Sequence, residues 1–160
     1  MTEPFRIRPY QPGDESGAFH VCLRTGDHGA EGESIYRGDP DALARIYVDP
    51  YFRLEPELAL VAEDRKGICG YALGTLDSRR FFKRYDTEIR PAIADAFPRP
   101  KGPASNWSRV EETHHLYHEP DYFCPEPYEL YPSHLHIDLL PRAQGCGLGR
   151  RLIEHLVGLM

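Results

Sequence analysis

The stretch PRAQGCGLGRRLIEHL, residues 141–156, sets three glycines at every second position directly ahead of an amphipathic run. Glycine costs roughly 1 kcal/mol against alanine inside a helix, so helix stability does not explain Gly145, Gly147 and Gly149. Upstream, Leu135, Ile137 and Leu139 recur at period two, the mark of a half-buried strand, with His134, His136, Asp138 and Leu140 on its other face. Downstream, Leu148, Leu152, Leu156 and Met160 share one helical stripe, with Ile153 and Val157 beside it. The segment reads as strand, glycine turn, helix. The first turn of a helix carries unpaired N–H groups and the positive end of the helix dipole. Residues without a Cβ let an anion such as phosphate reach those groups. Arg150 and Arg151 add positive charge in the same turns. The pattern predicts an anion site made of main chain; the alternative is a glycine-weakened helix start with no ligand.

The rest of the chain supplies one ordinary domain around that segment. Residues 5–10 alternate as a strand, and Asp14 is placed to cap a helix running to about Thr25. A second helix is predicted over 39–47, with Pro40 in its first turn. Residues 57–64 and 68–78 form an antiparallel hairpin about the turn RKG. From 79 to 127 the pattern loosens: FFKRYDTEIRPAIADAF holds one or two helices broken at Pro91, and PRPKGPASNWS is loop. With 160 residues, 41% of them hydrophobic and 28% charged, the chain has the composition of a soluble globular domain. Its formal charge of −6 gives no basic field for nucleic acid. No apolar run approaches the roughly 20 residues of a membrane span, and the N-terminus lacks a signal-peptide core. Cys22, Cys69, Cys124 and Cys146 form no C-x-x-C, so they read as reduced thiols of a cytoplasmic protein.

The anion site lacks the Lys-Ser/Thr of a P-loop and the G-x-G-x-x-G spacing of a dinucleotide fold. Gln144-x-x-Gly147-x-Gly149 instead resembles the pyrophosphate-binding signature Q/R-x-x-G-x-G/A of the GCN5-related N-acetyltransferase (GNAT) superfamily. The order strand, two helices, hairpin, signature strand, signature helix matches as well. The resemblance implies an α/β (α+β) fold, a mixed, mostly antiparallel sheet flanked by helices. It implies acetyl-CoA, or another acyl-CoA, as cofactor. Backbone around Ile137, Asp138 and Leu139 would pair with the pantetheine arm. The N–H groups of Gln144, Gly145, Cys146, Gly147, Leu148, Gly149 and Arg150 would hold the pyrophosphate. The partner so implied is an amine acceptor, a small molecule or a protein, and relatives are often homodimers. The alternative is a non-catalytic acyl-CoA-binding or protein-interaction domain that kept the fold and lost the chemistry.

Two features depart from the simplest members. The chain stops at Met160, at the end of the signature helix, where the family continues through a strand, a helix and a hairpin; the expectation is a GNAT-like domain, residues 1–160, truncated at its C-terminus. Residues 79–127 form an insertion between hairpin and signature strand. That insertion, rich in aromatics and histidines, resembles the acetyltransferase-like domain at the C-terminus of O-GlcNAcases and its bacterial relatives, a resemblance that leaves catalysis open.

Among single residues, Asp138 is the first candidate for general base and His136, on the same face, the second; either also reads as an ordinary hydrogen-bonded polar residue. His114, His115 and His118 with Glu111 and Glu112 have no matching second ligand pair, so they read as a solvated loop and no metal is expected. Residues 121–131 read as an acceptor lid or as packing, Trp107 as an anchor for the insertion, and Cys146 as a tolerated small residue.

Overall fold

A computed structural model describes residues 4–121 and 127–160. The elements run β1 (Arg6–Pro9), α1 (Glu15–Arg24), α2 (Ala44–Tyr47), α3 (Asp49–Leu54), β2 (Ala59–Asp64), β3 (Gly67–Thr75), α4 (Ser78–Arg84), α5 (Arg90–Ala96), α6 (Arg109–His118), α7 (Pro127–Leu130), β4 (His134–Leu139) and α8 (Leu148–Val157). The strands form one sheet in the order β1-β2-β3-β4. Every pairing is antiparallel among the described residues.

The sequence of β3 explains how the layers stack. Gly70, Ala72 and Gly74 alternate with Tyr71 and Leu73, so one face is nearly bare and the other bulky. The leucine stripe of α8 packs on the bare face: a Cβ on Gly74 would lie 3.3 Å from Leu156 Cδ2. Leu148, Leu152 and Leu156 are thereby buried, each burial worth about 1.5–3 kcal/mol. On the other face α1 lies against β3, and Tyr71 and Leu73 are fully buried.

Several predicted details differ. Asp14 precedes α1 but makes no side-chain cap. Its carboxylate accepts two hydrogen bonds from the Arg8 guanidinium, at 2.7 and 2.9 Å, a bidentate ion pair that takes up both oxygens. The helix predicted over 39–47 is confined to α2, because the Asp39 carboxylate is engaged by Arg45 at 2.6 Å and His114 at 2.8 Å. Pro91 lies in the first turn of α5, and the break falls before it in a π-helical turn, Tyr85–Ile89. Proline has no N–H for the preceding turn. The segment read as a solvated loop is α6, opened by a Ser108–Glu111 capping box. His118 Nε2 meets Phe97 O at 2.8 Å, and Trp107 lies over His115 with its indole N–H on Lys101 O. Part of the suggested lid, residues 122–126, lies outside the described residues. No helix among the described residues is long and apolar enough to cross a membrane.

Candidate active site

The glycine turn begins where β4 ends. Gly145 and Gly147 have φ of 73° and 79°, a left-handed backbone that L side chains adopt at a cost of about 1–2 kcal/mol. A Cβ at either would meet nothing within 4 Å, so the conformation rather than crowding requires glycine, and the space beside both residues is open. Gly149 differs: its φ is ordinary and its Cα faces β4, where a Cβ would lie 3.4 Å from Leu139 Cδ1. Gly147 is the N-cap of α8, and no side chain caps it. The first N–H groups of the helix therefore have no intrahelical partner, and residues 144–147 are exposed. The loop is tied down from both ends: Gln144 Nε2 donates to Leu139 O at 2.8 Å, and the Cys146 thiol donates to Ala143 O. Leu148 is anchored in the core, while Arg150 pairs with Glu154 at 2.6 Å.

β4 is an edge strand, paired to β3 alone. Leu140 N–H donates to Cys69 O, which sets the alternation of the ladder. The main chains of His136 and Asp138 turn toward β3, and those of Leu135, Ile137 and Leu139 turn toward the free edge. Of the three residues expected to meet a pantetheine arm, Ile137 and Leu139 present main chain there, while Asp138 presents only its side chain, to the cavity face.

That face lines a cavity of about 1090 Å³ between β4, α1, α3, α4 and α6. Asp138 Oδ2 accepts a hydrogen bond from Tyr71 Oη at 2.6 Å. Burial pushes the Asp138 carboxyl above its usual range, opposed chiefly by the hydrogen bond from Tyr71. Burial also pushes the neighbouring Cys22 thiol up to about 12 and holds the Tyr71 phenol well above its ordinary value. Both stay protonated donors at neutral pH.

The two histidines behave differently. Burial pulls each imidazole down to about 4, so each is neutral at pH 7. His136 Nε2 is buried without a partner among the described residues. His134 is fully engaged: Tyr51 Oη lies 2.6 Å from Nε2, and Ser78 Oγ 2.6 Å from Nδ1. Ser78 spends its one hydroxyl hydrogen on Pro132 O. His134 Nδ1 must then be the donor to Ser78, and Nε2 the acceptor from Tyr51. Sequence reading missed Tyr71, Tyr51 and Ser78, because their partners lie 67, 83 and 56 residues away along the chain; no local signal marks them. Among the described residues no three His, Cys, Asp or Glu side chains come together as a metal site.

No protein-family model matches the chain. The crystal structure of SsHAT superposes with a TM-score of 0.86 at 39% sequence identity, covering 97% of this chain and 76% of that one. Protein O-GlcNAcase of Rattus norvegicus and that of Mus musculus are each 30% identical over 139 residues, 86% of this chain. The chain spans 15% of the length of these curated relatives. The signature turn, the sheet beside it and the SsHAT likeness over most of both chains lead to one assignment: the chain belongs to the GCN5-related N-acetyltransferase superfamily, within the group related to the acetyltransferase-like domain of O-GlcNAcases.

Proposed function

We propose that this protein binds acetyl-CoA, or another acyl-CoA, and acetylates a primary amine of a small molecule or protein that enters the cavity. One observation carries the reading: β4 joins an uncapped, exposed helix start at its C-terminal end to a half-buried carboxylate on its cavity face. The residues fit the cofactor. Open space beside Gly145 and Gly147 and the free N–H groups at the start of α8 suit a diphosphate. The outward N–H and C=O groups of Ile137 suit an amide-bearing arm, as an added strand would.

Acetyl-CoA supplies an activated acyl thioester. The chain's own residues do the remainder. Main-chain N–H groups from Gly145 to Arg150 hold the diphosphate, the Gln144 N–H being donated to Pro141 O instead, and the β4 edge orients the arm. Asp138 receives the proton that the acceptor ammonium must lose. Its burial makes it a stronger base than an exposed aspartate, while Tyr71 keeps its oxygen aligned. His136, pulled down to about 4 and so neutral at pH 7, is the second candidate on the same face, with an unpartnered nitrogen.

Isothermal titration with acetyl-CoA, CoA and inorganic phosphate tests the binding half. Acetyl-CoA and CoA should bind alike and phosphate far more weakly. A thiol-release assay over a panel of primary amines tests the transfer half. Absence of CoA binding overturns the proposal, and binding with no release for any amine favours a domain that kept the fold without the chemistry.

A further inference from the structure

We infer that Tyr71 is a positioning residue for Asp138, its hydroxyl fixing the orientation of the carboxylate that faces the acceptor. The inference rests on the proposed role of Asp138 as proton acceptor. Tyr71 and Asp138 lie directly opposite each other in the β3–β4 register, and the phenol is fully buried. Its hydroxyl has one hydrogen, donated to Asp138 Oδ2 at 2.6 Å. The Cys22 thiol lies nearby and is kept protonated by burial. The result is a hydrogen bond that starts on a buried tyrosine of β3 and ends on the cavity face of β4. A phenylalanine would fill the same volume, so packing alone does not call for the oxygen.

The other groups facing Asp138 come from two elements. Thr25 and Cys22 approach from the α1 side and His136 lies on β4 itself. α8 packs on the opposite face, against Ile137 and Leu139. Across the cavity, Arg109 and Glu112 pair with each other at 2.9 Å.

The test is Tyr71→Phe in the intact protein, with the Asp138 carboxyl carbon followed by 13C NMR over pH. Loss of the hydrogen bond to the charged form should move the titration midpoint to higher pH. The acid limb of the rate profile should move with it. At neutral pH kcat should fall on the order of tenfold, the size of one hydrogen bond to a charged group, with KM for acetyl-CoA unchanged. An unmoved midpoint overturns the inference. A moved midpoint beside an Asp138→Asn variant of undiminished rate overturns the base assignment, and the catalytic role of Tyr71 with it. Should Tyr71→Phe fail to fold, the wild type decides: Tyr71 13Cζ must report the same midpoint as Asp138, and a flat 13Cζ overturns the inference.

Discussion

At its C-terminal end β4 runs into residues 144–150, which offer bare main chain to solvent, whereas its cavity face at His134, His136 and Asp138 keeps polar side chains away from solvent. The first region works by leaving things out: two left-handed glycines, no cap, no side chain over the helix start. The second works by filling: Tyr71 holds Asp138 Oδ2, and Tyr51 and Ser78 hold both ring nitrogens of His134. A ligand held by main chain is recognised by charge and shape, and many variants of its remaining groups are tolerated. A proton acceptor held by side chains is set in one orientation. The difference predicts that substitutions in the turn act on affinity and substitutions on the cavity face act on rate.

The sharpest way to break that division is Asp138→Asn. Removal of a general base should lower kcat by about 10²- to 10⁴-fold, with acetyl-CoA affinity by calorimetry unchanged; a large loss of affinity would show that the two regions are not separable. Gly147→Val comes next. Its φ of 79° makes a β-branched residue strained by about 1–2 kcal/mol, and the side chain would stand over the N–H groups. Affinity for acetyl-CoA should drop on the order of tenfold, the equivalent of one lost charged hydrogen bond, with a lower Tm.

Acidification should separate the regions again. His134 and His136 bind protons more readily unfolded, near 6.5, than folded, near 4. Their contribution to stability is therefore complete above pH 6.5 and lost as pH falls toward 4. Asp138, raised by folding, works in the opposite sense and partly offsets the loss. Tm measured from pH 7 to 4.5 should decline, and His134→Asn should flatten the decline, while no turn variant should alter its slope. The smallest effect belongs to Arg150→Ala. Its pair with Glu154 is largely exposed, and such i,i+4 pairs are worth about 0.3–0.5 kcal/mol, so Tm should hardly move and any change should be a modest loss of CoA affinity that fades with salt.

The same division governs what could be read from the chain. β4 and α8 were legible because their patterns are local: Leu135, Ile137 and Leu139 at period two, and Leu148, Leu152 and Leu156 at helical spacing. So was the glycine turn, although the conformational demand of Gly145 and Gly147 and the packing role of Gly149 could not be told apart without φ and contacts. Helix α6 was missed because it is polar, with only Thr113 and Tyr117 buried, although Ser108-x-x-Glu111 advertised its start. Asp14 misled, since nothing local reveals that Arg8 would claim it. The cavity face was legible only as a list of candidates. Asp138 and His136 stand out by residue type, but what distinguishes them, a tyrosine across the sheet for one and an unpartnered nitrogen for the other, depends on elements brought together by folding.

The direction of hydrogen bonding through His134 has a consequence for how the protein responds to its surroundings. Reversing that chain would require Tyr51, His134 and Ser78 to shift their hydrogens together, and the terminal carbonyl of Pro132 has none to give back. The imidazole is thus a spacer locked in one tautomer, electrically silent between about pH 5 and 8. The cavity keeps its shape over that interval, so a change in turnover near neutrality reports on the acceptor amine or on Asp138 and not on a moving wall.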